Sequence, residues 1–243
     1  GVGKNLQDHL LVRVQIASKF SDTLYKHLRW DKITLNILKA YIFKNGLGSI
    51  FPLTAGAYLK STEDKDIPDL QSHFLPGLST GKIRFPWSKK DNLNQSGFFA
   101  NVYQLRPESR GKITLNSKDP YSEPKIFANY LENENDLVCL RNGVKVIRNI
   151  FSQNSLSKFF SHEIEPGNLI KTDEQIDYWV RNTAETVFHP VGTCKMGPKQ
   201  DKNSVVDKNL CVIGVENLRV VDASIMPLMP SCNTNAPTVM IAE

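Results

Sequence analysis

The chain has 243 residues, 40% of them apolar, with 30 Lys and Arg against 25 Asp and Glu for a net charge of +5. That length and apolar share suit one large domain or two small ones around a packed core. Charges of both signs are mixed, as in Glu63-Asp64-Lys65-Asp66, so the like-charged face that nucleic acid needs is lacking, and no run approaches the ~20 apolar residues of a membrane span.

The chain opens on a glycine turn, Gly1 to His9, without a methionine or signal sequence, and reads as the tail of a longer protein. Leu10 to Ile16 alternates apolar and polar residues after Leu11, which predicts a half-buried strand. Leu35, Leu38, Ile42 and Phe43 recur at helical intervals within 28–43, and Asn45-Gly46 and Gly48 stop that element. Pro68, Pro76, Gly77, Gly81 and Pro86 then punctuate a long irregular stretch, read either as an access loop or as surface packing. Lys82, Arg84, Lys89 and Lys90 stand with Phe85 and Trp87 as the only basic-aromatic cluster, a solvated loop with an aromatic anchor. Asn94-Gln95-Ser96 is a glycosylation sequon compatible with a secreted protein.

Phe98–Leu105 and Lys112–Asn116 read as two strands of a hairpin joined through Pro107 and Gly111. Leu137, Leu140, Val144, Ile147 and Phe151 follow a three-four spacing opposite Arg141, Lys145 and Arg148, which predicts a helix lying on one side of a sheet. Thr172 and Gln175 have capping-box spacing ahead of another helix, which runs toward His189. Pro190 biases His189 away from helical torsions and Gly192 permits a close backbone approach, so the run Phe188-His189-Pro190-Val191-Gly192-Thr193 can hold an imidazole on a stiff bend. Leu218 to Val221 reads as a strand ending at Asp222-Ala223.

Cys139, Cys194, Cys211 and Cys232 include no Cys-x-x-Cys pair, so neither a zinc ribbon nor a dithiol motif is indicated and no metal site is expected. Cys194, close in sequence to His189, leaves a Cys-His nucleophile as one alternative. The other chemistry open to His189 is proton abstraction near neutral pH, with an amide such as Asn233 bonding a substrate oxygen as charge develops. Oxidising an alcohol also requires a hydride acceptor, which no side chain supplies; that acceptor must be a cofactor.

Four blocks in order, Gly1-Val2-Gly3-Lys4-Asn5-Leu6-Gln7-Asp8-His9, Ser109-Arg110-Gly111-Lys112-Ile113-Thr114-Leu115, the His189 run, and Asn217 to Glu243, resemble the C-terminal half of the glucose-methanol-choline (GMC) oxidoreductases. Their style is most similar to the insect glucose dehydrogenase group. The resemblance implies FAD-dependent oxidation of the CH-OH group of an alcohol, sugar or polyol, with a quinone or O2 as electron acceptor. It implies His189 as the base and Asn233 as its hydrogen-bonding partner, and it sets Asn5, Asp8, Asp222, Ala223, Asn235 and Ala236 around the FAD. Asp222 has a second reading as a helix cap, and Asn235 as a turn former before Ala236-Pro237.

The fold implied is α+β, within an α/β parent fold: a mostly antiparallel substrate-domain sheet covered by helices, with end segments that complete an FAD-binding domain. The corresponding parts are residues 1–9, 10–188 and 189–243. The Gly-x-Gly-x-x-Gly turn that meets the FAD diphosphate is absent from these residues, so the N-terminal Rossmann portion is expected elsewhere. A truncated or catalytically silent module that keeps the fold is the alternative reading. Gly46 to Thr54 resembles the family's Gly-Pro-Leu-Thr segment only loosely.

Overall fold

The computed structural model describes residues 1–21, 23–49, 55–79, 85, 87 and 96–243, Tyr25 for its backbone alone. The basic residues Lys82, Arg84, Lys89 and Lys90, residues Asn94 and Gln95 of the sequon, and Ile50 to Thr54 lie outside this set. The chain divides into two compact units, one of Gly1–Leu11, Tyr103–Cys139 and Ala184–Glu243, the other of Val12–Val102 and Leu140–Thr183.

The strands are β1 (Leu10–Ser18), β2 (Ala55–Leu59), β3 (Leu70–Leu75), β4 (Gly97–Gln104), β5 (Lys112–Thr114), β6 (Lys125–Phe127), β7 (Phe160–Glu165) and β8 (Glu185–Thr186). The helices are α1 (Trp30–Phe43), α2 (Glu134–Ser152), α3 (Asn154–Ser157), α4 (Asp173–Thr183) and α5 (Asn235–Ala242). The main sheet runs β2-β3-β4-β1-β7, and the β2·β3 and β1·β7 pairs are antiparallel. This is a mixed α+β fold, as the sequence implied.

β1 departs from the half-buried expectation: every residue but Arg13 and Ser18 is buried. The strand is central, flanked by β4 and β7. Gln15, whose polarity suggested a solvent face, instead donates to Glu165 Oε2 at 2.6 Å and accepts from the Ser79 amide at 2.9 Å. A polar residue inside a sheet is tolerated when its donors and acceptors are matched in this way. The irregular stretch also contains β3, which pairs with β2 just ahead of it and which the prolines and glycines had concealed.

α2 buries Leu140, Val144, Ile147 and Phe151, the helical stripe read from the sequence, and Phe151 meets Phe98 of β4 edge-on at 5.2 Å. A Cβ at Gly143 would lie 2.9 Å from Val102, so the glycine lets helix and strand approach closely. On its other face Arg141 pairs with Asp177 at 2.7 Å and Lys145 with Asp173 at 2.6 Å, tying α2 to α4. α4 starts with the expected reciprocal cap: the Gln175 amide donates to Thr172 Oγ1, and Gln175 Oε1 accepts from the Thr172 amide.

In the other unit the expected hairpin between residues 98–105 and 112–116 does not form, because β5 pairs with β6. The intervening chain is diverted by Asp136, whose carboxylate accepts from the amides of Glu108 and Ser109, both at 2.8 Å. Gly111 then exchanges backbone hydrogen bonds with Leu6. The strand expected over 218–221 is reduced to an isolated Cys211–Arg219 bridge, since turns around Gly214 and Asn217, both at positive φ, leave no room for a longer ladder.

Candidate active site

His189 projects from a short bend that begins at β8. β8 pairs with the start of β1, setting Thr186 against Leu10 and Glu185 against Leu11. Val191 and Gln7 then exchange backbone hydrogen bonds at 2.9 and 3.1 Å, so the bend is anchored on both sides of His189. Gly192 adopts a φ of +91°, and a Cβ there would strike the Asn5 carbonyl oxygen. Only glycine combines that torsion with that approach.

The backbone amide of His189 donates to Asp8 Oδ1 at 2.9 Å, while Asp8 Oδ2 accepts from Tyr130 Oη at 2.6 Å and from the Thr186 hydroxyl. Asp8, a sequence candidate for the cofactor cleft, is buried, and both its oxygens are engaged inside the protein. Burial and the hydrogen bond to Asp8 push the Tyr130 phenol up to about 12.

The imidazole of His189 touches two side chains. Its Nδ1 lies 3.0 Å from Nδ1 of His9, and its Nε2 lies 3.4 Å from Nδ2 of Asn233. His9 is fully buried, packs its ring against Tyr103 at 5.5 Å, and sets Nε2 3.2 Å from the Leu105 carbonyl oxygen. Burial lowers the pKa of His9 to about 4, opposed by the Leu105 contact. Burial lowers His189 as well, with the Asp8 charge working against it. The sequence candidates His189 and Asn233 thus lie together across 44 residues of chain, whereas His9 was passed over. Its signal was its place in the first block beside Asp8, but nothing local marked its ring as a partner for His189.

The remaining candidates lie near the join between the two chain ends. Asn5 Nδ2 donates to the carbonyls of Gly192 and Pro227 at 3.3 and 3.2 Å, and Gln7 bonds both the Pro227 carbonyl and the Met229 amide. Asp222 is the cap of a short 3-10 turn, accepting from the Ser224 amide at 2.7 Å, which is its alternative reading. Asn235 and Ala236 are exposed at the start of α5, and Thr234 puts no side-chain cap on that helix. An uncapped N-terminus carries free N–H groups and partial positive charge, a donor set that fits an electron-rich ring or an anion.

All four cysteines are free thiols. Cys194 packs against the apolar cluster of Val205, Val206 and Ile225, and its amide bonds the Ser224 carbonyl. A cavity of about 410 Å³ lies beside the same bend, with Leu6, Ile113, Leu131, Phe188 and Pro190 in its walls. His189 and Asn233 are not among its lining residues.

The family pattern described as GMC oxidoreductase matches residues 107–242, more than half of the chain. The chain belongs to the GMC oxidoreductase family. FAD is the cofactor of GMC oxidoreductases. Oxygen-dependent choline dehydrogenase 1 of Chromohalobacter salexigens is 38% identical over 243 residues, and the oxygen-dependent choline dehydrogenase of Serratia proteamaculans is 41% identical over 244. Each alignment takes in 100% of this chain and 42% of the relative, so the chain spans about two-fifths of their length. Among solved structures, the formate oxidase of Aspergillus oryzae superposes with a TM-score of 0.84 at 24% identity, covering 99% of this chain and 46% of that one. These GMC neighbours share the α+β fold.

Proposed function

We propose that this chain is the base-supplying and substrate-binding part of a GMC enzyme that oxidises the CH-OH group of an alcohol, sugar or polyol. The observation that carries the reading is the approach of His189 Nε2 to the Asn233 amide at 3.4 Å on a bend anchored from both sides. His189 Nε2 takes the hydroxyl proton, and Asn233 donates to the substrate oxygen as negative charge develops there. FAD, when bound, supplies the hydride acceptor that no side chain can provide. The residues that would hold it are Asn5, Asp222 and Ala223 near the joined chain ends and Asn235 and Ala236 at the uncapped start of α5. For Asp8 the engaged oxygens favour a supporting role beneath His189 over direct contact with the cofactor.

The boundaries 1–9, 10–188 and 189–243 are part of the same reading, with both ends returning to the FAD-binding domain. The substrate panel follows from the insect glucose dehydrogenase likeness and from relatives named for choline, and comprises glucose, polyols, simple primary alcohols and choline. Quinones and O2 are the acceptors to compare. A Cys-His hydrolase is disfavoured because Cys194 packs into an apolar cluster while both ring nitrogens of His189 face other partners.

The test is stopped-flow flavin reduction in the full-length protein by an accepted member of the panel. His189→Ala should slow reduction by roughly 10²- to 10⁴-fold with FAD retained, as expected for a positioned base. Asn233→Ala should slow it less, because an amide stabilises charge without taking the proton. Unchanged reduction in the His189 variant would overturn the reading, and a silent module would show no reduction in any form.

A further inference from the structure

His9 and His189 face each other through like atoms, Nδ1 to Nδ1 at 3.0 Å, and only one proton can occupy that contact. The other nitrogen of His9 decides which ring provides it. Nε2 of His9 faces the Leu105 carbonyl oxygen at 3.2 Å, and a carbonyl only accepts, so His9 carries its proton on Nε2. A neutral His9 then has a lone pair on Nδ1. The shared proton therefore belongs to Nδ1 of His189, and Nε2 of His189 is left bare on the Asn233 side.

We infer that His9 is a positioning residue that accepts the Nδ1 proton of His189, so that Nε2 is the basic nitrogen of that ring. The inference rests on the reading of His189 as the base. A protonated His9 would donate from both nitrogens and force the proton of His189 onto Nε2, where it would block proton abstraction. Burial prevents this by lowering His9 to about 4. The groups facing His9 are the Tyr103 ring, the Leu105 carbonyl, His189 and Asp8; the negative charge of Asp8 raises the pKa of His9, and burial outweighs it. Once His189 has taken the substrate proton, its imidazolium donates the same Nδ1–H to His9 in a stronger, charge-assisted bond. This is the orienting task that a buried carboxylate performs in a Ser-His-Asp triad, done here by a neutral ring.

The experiment labels the full-length flavoprotein with ¹⁵N-histidine and reads the ring nitrogens of His189 alongside flavin-reduction kinetics. Wild type should carry the His189 proton on Nδ1. His9→Leu should lose that preference and reduce flavin roughly 5- to 30-fold more slowly, the factor for losing one hydrogen bond of ordinary worth, with KM little changed. The pKa seen in its kcat/KM profile should fall, because the imidazolium loses its acceptor. His9→Asn, whose side-chain oxygen can stand near the position of Nδ1, should recover most of the rate and the tautomer. A His189 proton on Nε2 in wild type would overturn the proposal, as would a His9→Leu protein that binds FAD and is reduced at the wild-type rate. If His9→Leu does not fold, the wild-type tautomer and the His9→Asn protein decide the matter. Failure of the base reading has a separate signature, unchanged reduction in His189→Ala, which leaves the wild-type tautomer readable.

Discussion

Two consecutive residues, Asp8 and His9, hold different parts of one histidine: Asp8 accepts from its backbone amide and His9 meets its ring. Residues i and i+1 of an extended segment point to opposite sides, so both can serve one target only if that target wraps around the strand edge. The bend at His189, with Phe188 at a φ of 61° and Gly192 at 91°, provides that wrap. The bend that carries His189 was legible in the sequence, because Pro190 and Gly192 announce a stiff turn. The residues that orient it were not, since they lie about 180 positions away and nothing local to Asp8 reveals which amide it accepts from. Burial of His9 also makes a pH prediction. Its folded pKa of about 4 lies below the ordinary 6.5, so between those values the unfolded chain binds a proton that folded His9 does not. Stability should therefore fall as pH drops from 6.5 toward 4, and His189, lowered in the same direction, adds to the effect. Urea midpoints across that window should slope less steeply in His9→Asn than in wild type.

At the scale of elements, the features with local causes were the ones the sequence revealed. The three-four stripe of α2 and the Thr172-Gln175 cap of α4 depend on neighbours within one or two turns, and both occur as expected. β5 failed as the partner of β4 because its register is set by Asp136 and Leu6, far away in the chain. β2 and β3 were hidden for a related reason: proline and glycine mark turns reliably, but they do not say what lies between them. The basic face of α2 carries a testable consequence. Arg148 forms a two-pronged bond to Glu163 of β7, at 2.6 and 3.0 Å, and the Glu163 side chain is only 7% exposed. Arg148→Ala would leave that carboxylate buried without its cation and should destabilise the protein by about 3 kcal/mol, read from chemical denaturation. The more exposed Lys145–Asp173 pair should contribute far less in the same assay, because solvent screens it.

At the scale of the whole molecule, the unit that contains His189 also gathers both ends of the chain, through Asn5 and Gln7 bonded to Pro227 and Met229. The groups proposed to meet FAD are backbone amides and a few polar side chains at that join, whereas the glycine turn that grips a diphosphate is not among these 243 residues. The 243-residue chain expressed alone should therefore retain little FAD, and the full-length protein should purify with visible flavin absorbance; stoichiometric flavin on the shorter chain would contradict this. The contacts that hold His189 also set a timetable for synthesis. Its ring and amide partners emerge from the ribosome about 180 residues before it does, and Asn233 emerges 44 residues after it. Closing loops of that length is slow and costs chain entropy, so the imidazole has no fixed orientation until nearly all of these residues have been made. A nascent chain halted before Asn233 could already contain α2 and its sheet, yet its His189 ring would still lack the Asn233 contact that the complete chain gives it.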